Sequence, residues 1–580
     1  MRLFTFVLVV IVLASCTQQP ASKLLSENAD VTIGSPGKGE VKKDKADTFR
    51  VNVAEKTFVT GYANQLKADV IIEILGRNKI PTNTYDDTAQ GPDPFFFNAD
   101  SAGIYYIVIK PFREAEGAYE LHLTGAEAIA TDPAKRVDQI AGAMIQGDGP
   151  GASVAVMKDN QIVYSKGFGH ANLEYDIHNT PQTVFHIASV SKQFVGFSIA
   201  MLADQGKVSL NDDVRKYIPE LHDFGTPITL NHLVHHTSGL RDQWNLLALA
   251  GWRLDDVITQ KQILRLISRQ RELNFQPGEE MLYCNTGFTL LAEVVSRVTG
   301  QPFPEWTKEN IFKPLEMNNT LFYDDHEKVV SNRAYSYYKQ DSVYKKAVLS
   351  YANVGATSLF TTVEDLSKWA MNFETMKVGN QNVMDMMEER FVLNNGDTIN
   401  YALGQGIGKY KGLKTVSHGG SDAGYRTFLL RFPEQHFSVA VFSNLGSFSP
   451  GGLSFAIADA YLSDQYREEP KPEEEDRAPE PEQKKEEFDA SQVKLAEYTG
   501  RYYSEELQTF YEFEVKNDTL VGHHQRHDDL KIWPQGPDKF SSNRWWMGDV
   551  RFTRNAAKKV DGMKVDAGRV RNVDFRKTSN

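Results

Sequence analysis

A serine hydroxyl is a weak nucleophile at neutral pH unless a neighbouring base takes its proton, and a lysine three residues on can do so because positions i and i+3 share one helix face. Five serines in this chain have a lysine at that spacing: Ser35/Lys38, Ser189/Lys192, Ser336/Lys339, Ser342/Lys345 and Ser491/Lys494. Spacing alone does not choose among them, but context does. Only Ser189 lies between an apolar entry, Val184-Phe185-His186-Ile187-Ala188, and an apolar helical pattern carrying Phe194, Val195, Phe197, Ile199 and Leu202. This predicts a serine at a buried helix N-terminus, where burial lowers the lysine pKa and the helix dipole stabilises negative charge on the serine. Ser35 reads as part of an N-terminal tether, and the other pairs fall in tyrosine- and lysine-rich or linker-edge segments.

Two later stretches add polar side chains in fixed order: Tyr283-Cys284-Asn285, inside 275–287, and His418-Gly419-Gly420-Ser421, just ahead of a strand. Together the three elements resemble the Ser-x-x-Lys, Tyr-x-Asn and Lys/His-x-Gly motifs of the penicillin-recognising serine hydrolases, in the branch holding class C β-lactamases, DD-peptidases and related esterases. The stretches 228–240 and Gly355-Ala356-Thr357-Ser358-Leu359 match as well, and the resemblance runs over about 330 residues in the family's order. It implies that Ser189 is the acylated nucleophile and that Lys192 and Tyr283 share the base role. It implies further that Asn285 orients the lysine and the substrate amide, and that His418 lies on the sheet edge, bonding substrate or relaying protons. Gly419 and Gly420 let the acyl group approach the strand backbone, and the N–H groups of Ser189 and Ser421 form the oxyanion hole.

His418 stands where typical β-lactamases carry lysine. A histidine is mostly neutral near pH 7 and gives no fixed cation for a drug carboxylate, so hydrolysis of esters or of D-amino-acid peptide and amide bonds is favoured over efficient β-lactam destruction. Cys284 is a rival nucleophile, although the middle residue of Tyr-x-Asn is expected to point elsewhere. His232, His235 and His236 have spacings that could hold zinc on a helix, but the Thr237-Ser238-Gly239 that follows matches a structural loop of the family. His523, His524 and His527 read as a solvated hairpin rather than a metal site, and no metal or cofactor is expected. The competing reading is a catalytically silent, penicillin-binding-like protein that binds peptidoglycan or a partner through its β-domains.

These side chains need a frame. In 132–465 a helix is expected over Lys135–Gln146, a hairpin from Ser153–Met157 and Gln161–Ser165 about Asp159-Asn160, strands at Tyr425–Phe432 and Phe437–Ser443, and a helix at Leu453–Leu462. This is an α/β (α+β) domain with an antiparallel sheet built from both chain ends and flanked by helices, of the β-lactamase/transpeptidase type that the resemblance implies. Residues 30–127 alternate apolar runs (Phe49–Val53, Val70–Leu75, Phe95–Phe97, Ile104–Ile109, Tyr119–Leu123) with turns, as a β-sandwich does. Residues 490–580, with runs such as Phe510–Val515, read as a small C-terminal β-barrel. The segment 466–489 joins them as an acidic, proline-rich linker; within 467–487 there are ten acidic residues, five basic residues and four prolines.

The whole chain has 580 residues, 41% hydrophobic and 24% charged, with a mean hydropathy of -0.42, which fits a multidomain globular protein. A net charge of -12 disfavours nucleic acid as a partner, and two cysteines, Cys16 and Cys284, exclude a disulfide framework. Arg2 followed by the apolar run Leu3–Leu13 is too short to span a bilayer and reads as an export signal, residues 1–15. Leu13-Ala14-Ser15-Cys16 resembles the bacterial lipobox, which implies cleavage before Cys16 and lipidation of that residue. Residues 16–29 then form a tether, and the protein is expected on the cell envelope, held to a membrane by its lipid anchor, with a small ester, amide or cell-wall peptide as substrate.

Overall fold

The computed structural model describes residues 25–86, 91–145, 147–340, 343–467 and 488–578. Cys16, the signal segment and most of the acidic linker lie outside the described residues.

The central sheet contains β1 (Ala152–Lys158), β2 (Gln161–Phe168), β3 (Gly406–Tyr410), β4 (Leu413–Asp422), β5 (Tyr425–Phe432) and β6 (Phe437–Ser443), in the spatial order β2-β1-β6-β5-β4-β3. Every neighbouring pair is antiparallel. The β1–β2 turn places Asp159 and Asn160 at φ of 50° and 58°, the double left-handed geometry of a tight hairpin that Asx residues tolerate.

Side chains alternate across the sheet. Val154 and Val156 of β1 join Leu430 and Phe432 of β5 against α1 (Pro133–Met144) and a C-terminal helix at Pro450–Leu462. Ala155, Met157, Leu429 and Phe442 face the opposite core. There they meet α2 (Lys192–Asp204) and α3 (Asn285–Thr299). Both faces are covered, which is why β6 is buried along its whole length.

Ahead of this domain stand two packed sheets. One has the order Leu25–Asp30, Ala46–Val53, Gly103–Pro111, Val70–Leu75, Pro81–Tyr85, and the other Gly37–Val41, Gly117–Ala128, Thr57–Gln65, Gly91–Ala99. Their inner residues, among them Phe49, Ile72, Phe95, Ile107 and Tyr119, form a core of their own. The tether expected over 16–29 is therefore too long. Residues 25–30 pair in parallel with Ala46–Arg50, because an edge strand bonds through its backbone and needs no apolar pattern. Ser35 is likewise in the sandwich, bridged to Thr32.

At the other end, β7 (Gly500–Ser504), β8 (Thr509–Lys516), β9 (Thr519–His524), β10 (His527–Gly536), β11 (Lys539–Arg544), β12 (Met547–Arg554), β13 (Val560–Ala567) and β14 (Val570–Thr578) close into a barrel. The β7–β14 pairing seals it, leaving no free edge. The core of the barrel, including Tyr502, Tyr511, Phe552 and Phe575, is continuous with that around α2 and α3. The β9–β10 hairpin is not the solvated feature expected of its histidines. His523 pairs outward with Glu514 and Asp529, but the imidazole of His524 packs on Gly251 and His527 Nε2 lies 2.7 Å from the Ala248 carbonyl, at the domain boundary.

Candidate active site

Ser189 sits on a short 3-10 turn, Ala188–Ser191, that runs into α2, two residues ahead of the helix-capping position at Ser191. Ser191 fixes that turn by donating its hydroxyl to the Ala188 carbonyl (2.5 Å) and accepting from the Leu359 N–H (3.2 Å). Ala188 has φ of 48°, a left-handed conformation unfavourable for a residue with a Cβ, so the backbone at the serine is strained and held by its surroundings. Gly420 makes the close packing possible. A Cβ there would lie 2.2 Å from the Ile187 carbonyl oxygen, which is also bonded by Thr427. Of the two glycines, Gly420 thus admits the serine turn, while a Cβ on Gly419 would meet nothing nearer than the Phe428 ring at 3.4 Å.

Lys192 opens α2 and is fully buried. Its Nζ donates to Asn285 Oδ1 (2.8 Å) and to the Ala356 carbonyl (2.7 Å), and lies 3.0 Å from Ser189 Oγ. Two of the three partners can only accept. They take two N–H bonds and leave the third nitrogen direction toward a hydroxyl that can donate. Burial pushes the Lys192 pKa down, with Asp422 and Asp242 opposing and Arg569 assisting. The deprotonated amine a base requires is accordingly accessible near neutrality.

Asn285 begins α3 and is held by Asp242, whose Oδ2 accepts from both its backbone N–H (2.7 Å) and its side-chain amide (2.8 Å). The Tyr283 ring lies under Lys192 Nζ, 4.9 Å from the ring centroid, and packs at a tilt of 37° against His236, 4.2 Å between centroids. Its hydroxyl is buried and makes no hydrogen bond of ordinary geometry, although the Ser189 side chain is near enough to favour phenolate. Burial dominates and raises the Tyr283 pKa, so the phenol is protonated at pH 7.

β3 pairs with β4 only as far as Ser417, so the stretch His418–Asp422 extends past the end of β3. His418 occupies this edge, 6.2 Å from Tyr283 between ring centroids. Its Nδ1 bonds the Gly419 carbonyl (2.7 Å) and its Nε2 faces the Tyr401 hydroxyl (3.1 Å). Both nitrogens are engaged, and burial with the Lys192 charge pushes the pKa down to about 3, a neutral ring. Ser421, the next polar residue on the strand, precedes Asp422, which accepts from Thr357 and whose pKa burial raises.

Cys284 points away from Ser189. Its thiol donates to the Leu240 carbonyl (3.3 Å), and burial pushes its pKa up to about 12. His232, His235 and His236 do not converge: they bond respectively Thr229 N–H, the Asn231 and Glu389 carbonyls, and Cys284 N–H. Of the described residues, His170, Asp176 and His178 do bring ligand atoms within 4.8 Å of one another, on a separate hairpin.

Contacts therefore join Ser189, Lys192, Tyr283, Asn285 and His418 in one cluster, with Gly420 packed on the serine turn and Gly419 and Ser421 beside it on β4. Three participants were missed by motif reading. Asp242 looks like an ordinary helix cap, which it also is; Tyr401 lies in no recognisable pattern; and Arg569 comes from the barrel, its guanidinium 4.9 Å from the Tyr283 ring centroid and 3.8 Å from Asp242.

Residues 136–461 match the family model described as Beta-lactamase. A D-aminopeptidase of Gluconobacter oxydans is 28% identical over 296 residues, covering 51% of this chain and 56% of that protein. Protein flp of Staphylococcus aureus strain N315 is 27% identical over 331 residues, covering 55% of this chain and 64% of its own length. The chain thus spans less than two thirds of these relatives. Among solved structures, the octameric penicillin-binding protein homologue from Pyrococcus abyssi aligns with a TM-score of 0.49 and 23% identity, over 74% of this chain and 96% of that one.

Proposed function

This chain belongs to the beta-lactamase family, and on that premise we propose that it is a serine hydrolase that forms an acyl-enzyme on Ser189 and hydrolyses esters or D-amino-acid peptide and amide bonds. The observation that carries the reading is the buried Lys192 amine, 3.0 Å from Ser189 Oγ with its other bonds committed to Asn285 and Ala356.

In the proposed reaction the neutral Lys192 amine takes the Ser189 proton as Oγ adds to the scissile carbonyl carbon. The Ser189 and Ser421 N–H groups receive the oxyanion, each such donor being worth about 3 to 4 kcal/mol. As the intermediate collapses, the proton passes from Lys192 through the protonated Tyr283 hydroxyl to the leaving oxygen or nitrogen. Water then adds to the acyl carbonyl, with Lys192 again as base, and releases Ser189. His418 takes no proton in this scheme. Its neutral ring, fixed by Tyr401 and Gly419, shapes the strand edge against which the acyl group lies.

Turnover of p-nitrophenyl acetate and D-alanine p-nitroanilide tests the reading. Hydrolysis of either that disappears in both Ser189→Ala and Lys192→Ala supports it, and hydrolysis that survives in Ser189→Ala contradicts it. The lipobox-like Leu13-Ala14-Ser15-Cys16 supports a lipid-anchored protein of the bacterial cell envelope. Incorporation of radiolabelled palmitate, abolished by Cys16→Ser, is the expected result; equal labelling of the variant would exclude that anchor.

A further inference from the structure

Away from the cleft, residues 170–178 fold into a small hairpin whose strands, His170–Asn172 and Ile177–His178, set His170 directly opposite His178. Cross-strand partners share a face, and the two imidazoles lie 4.3 Å apart between centroids. The turn supplies a third donor. Asp176 has φ of 53°, a left-handed conformation that Asp tolerates, and Asn172 Oδ1 accepts from the Tyr175 N–H (3.0 Å) inside the same turn. The Asp176 carboxylate comes back over the hairpin to 2.8 Å from His170 Nε2. At its inner end the hairpin is anchored through the backbone: Asn444 donates to the His170 carbonyl (3.0 Å), and the His170 N–H donates to the Gly149 carbonyl (2.9 Å). His170 is buried, while Asp176 and His178 are exposed.

From this geometry we propose that His170, Asp176 and His178 form a binding site for one divalent transition metal of the zinc class, which ties the exposed end of the hairpin to its buried histidine. Three observations support it. The ligand atoms, one from each side chain, lie within 4.8 Å of one another, and a tetrahedral ion with bonds of about 2.0 Å needs its donors about 3.3 Å apart. Closing that gap takes movements on the order of 1 Å, which the two exposed side chains can make by rotation. Second, His170 stands between two oxygens, with Nδ1 3.4 Å from the Gly149 carbonyl and Nε2 2.8 Å from Asp176. A neutral imidazole has one N–H, so when that N–H serves the carbonyl, a lone pair faces the carboxylate and a cation belongs between them. A backbone carbonyl behind a ligating imidazole is also the arrangement that orients the ring toward a metal. Third, His178 selects a metal over a proton. A proton would need only His170 and Asp176, whereas the ring nitrogens of His178 have no hydrogen bond among the described residues and are brought to the same point. Two imidazoles with one carboxylate suit zinc-class ions and are poor for magnesium or calcium, which take oxygen ligands. Glu174 is held by Lys346 (3.2 Å), so the three protein donors leave a position for water. None of the three side chains belongs to the acylation cluster, so metal binding here is independent of the hydrolase reading.

Calorimetric titration of ZnCl2 into the full-length protein, stripped of metal with EDTA, tests the site. One zinc per chain is expected, with affinity lowered at least about 10-fold in His178→Ala and in Asp176→Asn. Both residues are exposed, so the metal-free variants should keep the circular dichroism and unfolding midpoint of the wild type. Cobalt(II) gives a second reading that needs no variant: a four-coordinate nitrogen and oxygen field produces strong visible bands in the wild type, and their absence would contradict the site. His523→Ala removes a histidine paired with Glu514 and Asp529 on the barrel and should hold zinc affinity within about twofold. Loss of binding there, or undiminished binding in both hairpin variants, would put the metal elsewhere and overturn the proposal. Magnesium competing equally with zinc would contradict it as well. Ser189→Ala should bind zinc as the wild type does, which keeps the result readable if the protein proves not to be a hydrolase; loss of zinc in that variant would contradict a site separate from the cleft.

Discussion

The β-modules at the two ends of the chain are attached in different ways. The N-terminal sandwich keeps a separate core and meets the central domain over α1, where the Arg136 guanidinium covers the Phe58 ring at 4.2 Å and Gln139 bonds Glu127 and the Ala128 carbonyl. That contact lies on the sheet face of Val154 and Val156, opposite the face against which α2 and the turn carrying Ser189 pack. The C-terminal barrel instead shares its core with α2 and α3 and inserts a hairpin next to Tyr283. The sandwich contact lies away from the serine, whereas the barrel contact brings one of the barrel's own side chains, Arg569, beside Tyr283.

The largest expected effects belong to the cleft both comparisons are measured from. Ser189→Ala and Lys192→Ala should each lower kcat/KM by at least 10³-fold without changing the melting temperature in proportion; a modest loss would remove the reference point. Next comes the barrel's attachment. Arg241 is 1% exposed and 2.5 Å from Glu506, so Arg241→Ala strands a buried carboxylate and should cost about 3 to 5 kcal/mol of stability in chemical denaturation, together with activity. If activity survives barrel undocking, the contrast between the modules fails.

The pH profile sharpens the role of the cleft charges. Burial brings Lys192 down to about 7, and the amine is active only when deprotonated, so kcat/KM should rise with pH through an acid limb near 7. Lys192 and Asp422 titrate together, so the limb belongs to the pair. Asp242→Asn removes an anion that retains the proton on Lys192 and should move the limb down; an upward shift would reverse the assigned polarity. The smallest effect is at the sandwich. Arg136→Ala should lower stability by about 1 kcal/mol and leave kcat/KM within about twofold, and a larger loss of activity would give the sandwich a part in the site.

Much of the frame was legible because local pattern and tertiary burial agree. Tyr425–Phe432 and Phe437–Ser443 coincide with β5 and β6, and Asp159-Asn160 marks its own turn. Thr57–Gln65 escaped because its pattern is weakened by Thr, Gly, Asn and Gln, and it is held between two partner strands rather than by propensity. The core of the site was legible for a different reason. Ser189, Lys192, Tyr283 and Asn285 fall in short motifs whose order is informative, and β4 brings His418 to Ser421 alongside them. Asp242 was hidden behind its role as helix cap. Arg569 was hidden because the turn Ala567-Gly568-Arg569 declares only a hairpin, and nothing local states that this hairpin meets a cleft assembled from the middle of the chain.

The central claim is acylation of Ser189, and intact-mass measurement after a rapid acid quench tests it most directly. The soluble protein from Ser22 onward, mixed with p-nitrophenyl acetate and separately with a penicillin, should gain the mass of one acetyl group in the first case, mapped to the peptide carrying Ser189 and absent from Ser189→Ala. A penicillin adduct at the same serine would point toward a peptidase-like site. An acetyl group found on another residue, or equally on the variant, would contradict the account.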